Sequence, residues 1–229
     1  MPPDWGELDH VIFFCDVGAP EADSLLGRGL HEGPRNAHPG QGTANRRFFF
    51  PNAYLEFLWV EQAAEAQSEA VRPTRLWERW SRRAVGDCPF GLVFRPGNRG
   101  VHEPISSWTY RPRYFPDGYA IEVALGIPAN EPLLFYLPFA RPLLVEDVEP
   151  IADGPKIGPI VGITIHLPNT RSLSPALDAL VTAGRVTVEP AHEFIVDLIH
   201  AGASPEIIDM RPRLALRFVP SRGAQRSRH

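Results

Sequence analysis

The sequence predicts a mixed α+β protein: mostly antiparallel sheets built from βαβββ units, with helices packed on their outer faces. Three observations point there. Apolar runs of strand length recur along the chain, and helix-like segments between them are short. Two runs, residues 46–50 and 53–60, are separated by the turn pair Pro51-Asn52 and read as a hairpin. At 229 residues with 44% hydrophobic content, the chain can bury one sizeable core or two small coupled ones.

The first unit opens with Leu8-Asp9-His10-Val11-Ile12-Phe13-Phe14-Cys15, a strand. Residues 20–27 follow with proline in the first turn, early acids and a closing Gly27, which fits a short helix. Residues 38–45 (His-Pro-Gly-Gln-Gly-Thr-Ala-Asn) read as a loop leading into the hairpin, whose second strand carries Tyr54, Leu55 and Glu56. Alternate side chains of a strand share a face, so His10 points with Ile12 and Phe14, and Glu56 with Tyr54 and Leu58. Both would line an apolar wall. A carboxylate there is costly to desolvate unless a partner or cation compensates it, and an imidazole with a carboxylate is a standard ligand pair for a divalent metal.

Three pieces in order carry a resemblance: hydrophobic-Asp-His-Val at residues 8–11, His-Pro-Gly-x-Gly-Thr-x-Asn at 38–45, and Tyr-Leu-Glu-hydrophobic at 54–57. Together they resemble the vicinal oxygen chelate superfamily (glyoxalases, bleomycin-resistance proteins, dioxygenases) and, within it, the glyoxalase-like domain family. The resemblance is clearest over the first quarter of the chain. It implies curved sheets around a cleft, with a divalent metal (Zn, Fe, Mn, Ni or Mg) held by His10 and Glu56, and Glu56 as the catalytic carboxylate. His38, Gln41, Asn45 and Tyr54 are the candidate substrate-binding residues. Against that pattern, Phe90 or Gly91 stands where a second His would sit, and Leu137 or Pro138 where a second Glu would sit, so two of the four usual protein ligands are missing. His166, on a strand face with Thr164, is a candidate third ligand.

Beyond residue 60, residues 61–70 read as a solvated connection, and 72–83 as a helix with Leu76, Trp77 and Trp80 on one side and arginines forming a wet face. That helix is read as a structural flap or a substrate lid. A degenerate second unit follows: a strand at 89–94, a proline-rich stretch at 108–118, and strands at 119–127 and 133–139. A third segment has a strand at 160–167, a helix with Ser174 as N-cap, Pro175 at its first position and Gly184 at its stop, and strands at 194–199 and 214–219. The expected organisation is therefore a first unit at 1–62, a helix plus second unit of the same domain at 63–140, a third segment at 158–220 packed on it, and a disordered polar tail at 221–229.

The formal charge of −4 gives no bulk electrostatic case for nucleic acid or membrane surfaces. No apolar run approaches membrane-spanning length, and Met1-Pro2-Pro3-Asp4-Trp5 lacks the features of a signal peptide, so a cytoplasmic location is expected. Cys15 and Cys88 show no paired spacing and read as buried free thiols rather than nucleophiles. His31-Glu32 is not part of a His-Glu-x-x-His helix, residues 97–100 form no phosphate loop, and no serine elbow occurs. Two functions are compatible with these residues. One is a metal-dependent lyase, isomerase or dioxygenase-type enzyme acting on a small oxygenated molecule; the other is a metal-free protein of the same fold that sequesters a small molecule. The expected partner is a small-molecule ligand, with a homodimer compatible.

Overall fold

The computed structural model describes residues 5–26, 30–97, 105–141 and 157–221. Gly27, most of residues 97–100 and the tail from 222 onward lie outside these residues. The described chain is strand-rich. In chain order the strands are β1 Glu7–Phe14, β2 His31–Glu32, β3 Asn36–His38, β4 Thr43–Phe49, β5 Tyr54–Val60, β6 Phe90–Arg95, β7 Ser107–Tyr110, β8 Ile121–Ala124, β9 Leu133–Tyr136, β10 Ile160–Leu167, β11 Thr187–Pro190, β12 Ile195–His200, β13 Ile208–Asp209 and β14 Leu216–Pro220. The helices are short: α1 Asp23–Leu26 after a 3-10 turn, α2 Ala63–Ala66, α3 Leu76–Arg82 and α4 Pro175–Thr182.

β1 to β9 form one open, curved sheet in the order β2-β4-β5-β1-β6-β9-β8-β7, with β3 also paired to β4. Its two halves have the same plan. In the first, β1 pairs parallel with β5, and β5 antiparallel with β4. In the second, β6 pairs parallel with β9, and β9 antiparallel with β8. The antiparallel pair β1–β6 joins the halves at the centre. A five-stranded sheet, β11-β10-β12-β14-β13, repeats the central pattern: an antiparallel pair, β10 and β12, flanked by one parallel strand on each side.

Strand alternation sorts the side chains into two layers. Val11, Phe13, Phe48, Leu55, Phe57, Phe90 and Leu92 leave the back of the large sheet and join Ile165, Val196, Leu198 and Phe218 of the smaller one in the main core. Phe50 meets Phe218 with ring centroids 5.7 Å apart. Each such buried side chain contributes roughly 1.5–3 kcal/mol relative to exposure. The junction is also tied by Asn52, whose amide donates to the Ile160 carbonyl and accepts from the Ile160 N–H, both at 2.8 Å. The opposite face carries a smaller apolar cluster, Ile12, Phe14, Leu58, Leu76, Val93, Tyr110, Val123, Leu133 and Phe135, and the concave cleft lies there.

Four segments differ from the sequence reading. Residues 38–45 are the β3–β4 hairpin, with His38 opposite Thr43. Residues 61–70 contain α2, which buries Ala66 and brings Glu65 to accept from the Gly40 N–H at 2.6 Å. The proline-rich stretch begins as β7. The arginine side of α3 is not all wet: Arg79 is fully buried, and its guanidinium donates to the carbonyls of Pro128, Ala129 and Glu131 at 2.6, 2.6 and 2.7 Å. Three carbonyls of one turn satisfy that cation, and this lets an amphipathic helix bury a charge. The same turn also holds the start of α4, because Glu131 accepts from the N–H of Ser174 at 2.8 Å and from its hydroxyl at 2.5 Å. Ser174 caps α4, accepting from the Leu177 N–H.

Candidate functional site

The cleft of about 260 Å³ is built from both halves of the large sheet. From the first half come His10 and Ile12 of β1, Asn45 and Arg47 of β4, and Tyr54, Glu56 and Leu58 of β5; from the second, Val93 of β6, Ile121 of β8 and Phe135 of β9. Tyr110, Tyr114, Phe115 and Phe139 close the sides, and Thr74 and Leu76 sit at the start of α3. The helix read as flap or lid therefore forms part of the wall. It is anchored by Arg79 and by Trp80, whose indole N–H donates to the Cys15 carbonyl at 2.7 Å.

The polar end is assembled by register. β1 and β5 run parallel with His10 beside Tyr54 and Ile12 beside Glu56, which sets His10 and Glu56 diagonally on one face. Their side chains meet, His10 Nε2 to Glu56 Oε2, at 3.2 Å. The imidazole stacks on Tyr54 with centroids 4.2 Å apart. Its other nitrogen, Nδ1, lies 2.7 Å from Asp9 Oδ1. Adjacent residues of a regular strand point to opposite faces, so this contact needs an irregularity. The β1–β6 pairing supplies it: Leu8 faces Phe94 and His10 faces Val93, leaving Asp9 as an extra residue in a bulge. Asp9 is in turn 3.6 Å from Arg95.

Asp9, His10 and Glu56 are all buried. Burial alone would lower the His10 pKa, but the hydrogen bonds to Asp9 and Glu56 outweigh it and hold the pKa at about 9. Burial alone would raise that of Glu56, but His10, with help from His38 and Asn45, brings it down to about 2. Imidazolium and carboxylate are thus each locked in the charged form. Tyr54 is pushed up by burial and stays a neutral phenol.

Asn45 Nδ2 donates to Glu56 Oε1 and lies 3.5 Å from His38 Nε2. His38 Nδ1 is 2.8 Å from Thr43 Oγ1, which also accepts from Gln41 Nε2 at 2.8 Å. Burial lowers the His38 pKa. Tyr114 stacks on His38 at 4.6 Å and its hydroxyl donates to Gln41 Oε1 at 3.4 Å. The turn holding His38 depends on Gly42. Its φ is +74°, and a Cβ there would meet the Gln62 carbonyl oxygen at 2.3 Å.

Six candidates from the sequence, His10, His38, Gln41, Asn45, Tyr54 and Glu56, therefore converge on one cleft. His166 does not join them. It lies on β10 of the smaller sheet, 2.9 Å from Asp197 Oδ2 and 3.1 Å from Arg217. Sequence reasoning missed Asp9, because a straight strand would turn it away. It also missed Tyr114, Phe115 and Phe139, whose only signal was the aromatic content of residues 108–118 and 133–139. A further cavity of about 380 Å³ at the junction of the sheets is lined by Gly6, Asn52, Arg95, Ile160, Gly162 and Gly184 among others, with no histidine.

The donor set does not fit a resident divalent ion. Among the described residues no three His, Cys, Asp or Glu side chains form a group able to hold a metal. Both nitrogens of His10 already face carboxylates, and the opposite wall offers Val93, Phe135 and Leu137 where further ligands would be needed. Gly91 has no side chain, and a Cβ there would stand 3.1 Å from the Leu133 carbonyl oxygen. Phe90 is turned into the main core.

Residues 8–110 match the family model described as a glyoxalase-like domain, a span that holds the whole polar end of the cleft. No curated protein matches the chain. Among solved structures, the crystal structure of a hypothetical protein from Staphylococcus aureus is similar over 94% of this chain and 99% of that one, with a TM-score of 0.53 and 15% identity. That likeness is one of fold.

Proposed function

We propose that this glyoxalase-like protein binds a small, largely apolar molecule in the cleft, with its polar group at the His10–Glu56 end, and does so without a metal. The observation that carries this reading is the commitment of the two would-be ligands to each other. His10 is clasped between Asp9 and Glu56, while the matching wall of the second half is hydrocarbon. The volume of about 260 Å³ lies just below the roughly 300–1,000 Å³ typical of drug-sized ligands, so one ring or a short branched chain is the right scale.

The electrostatics support binding over proton-transfer catalysis. A general acid or base works best with a pKa near the working pH. Here Glu56 is held at about 2 and His10 at about 9, so Glu56 is a feeble base and His10 a reluctant acid. A pair of that kind orients a ligand dipole instead.

The test joins elemental analysis of protein purified without chelators to a thermal-shift screen of single-ring aromatic and cyclic aliphatic compounds, run before and after EDTA. Substoichiometric metal and ligand-induced shifts that survive EDTA are expected. Stoichiometric metal, with shifts abolished by EDTA, would overturn the proposal in favour of the metal-dependent enzyme.

A further inference from the structure

Two polar atoms of residues lining the cleft are left without partners among the described residues, and they differ in kind. Asn45 is only 2% exposed, and its Oδ1 is buried with no hydrogen bond. Its orientation is fixed chemically: the Glu56 carboxylate can only accept, so the amide must turn Nδ2 toward it and leave the carbonyl oxygen free. Two residues along the same face of β4 stands Arg47, whose Nε is buried with no acceptor. The guanidinium reaches only the Pro34 carbonyl at 3.2 Å and the face of Phe49 at 5.5 Å. Arg47 lies opposite Glu56 in the β4–β5 register, but the two carboxylate oxygens already face His10 and Asn45.

An orphan acceptor and an orphan donor on a cationic side chain are costly unless something completes them. Their backbone positions are about 7 Å apart along the strand, so they address two groups of a ligand rather than one. Six aromatic rings also line the cleft beside its aliphatic side chains: Tyr54, Tyr110, Tyr114, Phe115, Phe135 and Phe139. Such walls favour a flat body.

We infer that the cleft selects a small carboxylic acid, its flat apolar body between the aromatic walls, its carboxylate accepting from Arg47, and a hydroxyl on the body donating to Asn45 Oδ1. Arg47 is then the specificity-determining residue, since guanidinium matches carboxylate geometry and charge. The inference rests on the cleft being a binding site, as proposed above, and adds the class of ligand.

Isothermal titration of the full chain with four probes tests it: 4-hydroxybenzoate, its methyl ester, benzoate, and the neutral 4-hydroxybenzyl alcohol. The acid is expected to bind at least about tenfold more tightly than the ester or the alcohol. Benzoate, which leaves Asn45 Oδ1 unpaired, should be weaker by a similar factor. Arg47→Gln should abolish the preference for the acid over the alcohol. The wild-type comparison of acid with ester keeps the test valid even if that variant folds poorly. Equal binding of acid, ester and alcohol would overturn the acid assignment and leave the cleft as a binding site. No binding of any probe, with no hit in the thermal-shift screen, would overturn both.

Discussion

The two halves of the large sheet share a strand order and differ in what they point into the cleft. The β1–β5–β4 half presents His10, Glu56, Asn45 and Arg47; the β6–β9–β8 half presents Val93, Phe135 and Ile121 from equivalent strands. Backbone pairing places a side chain but does not require its chemistry, so one plan supports a charged wall and a hydrocarbon wall face to face. The charged wall is closed on itself through Asp9, His10, Glu56 and Asn45. The apolar wall is closed by packing. Stability should therefore respond very differently to changes in the two halves.

The largest effect is expected from His10→Ala. It leaves two buried carboxylates, Asp9 and Glu56, without the cation between them, and breaking a buried pair in this way costs about 3–5 kcal/mol. Urea unfolding of wild type and variant measures it; a loss within ±0.5 kcal/mol would show that the pair is not formed.

The pH dependence sharpens the same point. His10 has a folded pKa raised from 6.5 to about 9, so its contribution is complete below 6.5 and lost as pH rises through 9. Glu56 is depressed from 4.5 to about 2, so its contribution is complete above 4.5 and lost as pH falls toward 2. The pair is thus at full strength between about pH 4.5 and 6.5. Denaturant midpoints should decline on both sides of that window, and flat midpoints from pH 6.5 to 9 would count against the clasp around His10.

Turning the charged wall into a copy of the apolar one should repair most of the damage. In a His10→Leu/Glu56→Leu variant neither member of the His10–Glu56 pair is left buried without the other, and Asp9 keeps Arg95. Replacing a buried pair with hydrophobic residues of similar volume is often neutral or stabilising by about 1–4 kcal/mol. The double variant should therefore be closer to wild type than His10→Ala is, and should lose the decline between pH 6.5 and 9. Additive losses in a double-mutant cycle would contradict this.

The smallest effect belongs to Gly91→Ala in the apolar half. A strand interior gains roughly 0.5–1 kcal/mol from alanine over glycine, but the new methyl would stand 3.1 Å from the Leu133 carbonyl oxygen, and overpacking costs about 1–3 kcal/mol. A net loss on the order of 1 kcal/mol is expected from the same unfolding assay. A clear gain in stability would mean that β9 yields easily, and that a larger side chain could be accommodated there.

How much of this the sequence disclosed follows from the range of each signal. Strand alternation put His10 with Ile12 and Glu56 with Leu58, and the order of motifs implied that the strands share a cleft; both are local patterns that survive into three dimensions. Asp9 was illegible because alternation assigns it to the other face, and a bulge leaves no mark in one sequence. Arg79 read as solvent-facing because its three acceptors lie some fifty residues away in the Pro128–Glu131 turn. His166 looked like a third ligand because a strand histidine carries no label for its sheet. The aromatic side walls come from loops after β7 and β9, whose course periodicity cannot trace.

The bulge at Asp9 also bears on how such a site can change over generations. Pairing on either side of it is regular, with Leu8 against Phe94 and His10 against Val93. Losing the whole residue would therefore let β1 close on β6 without moving Leu8 or His10 to the wrong face. The carboxylate behind His10 is thus a removable part: a three-nucleotide deletion takes away the carboxylate and the kink together, whereas a substitution at Asp9 frees the His10 nitrogen and leaves the kink in place.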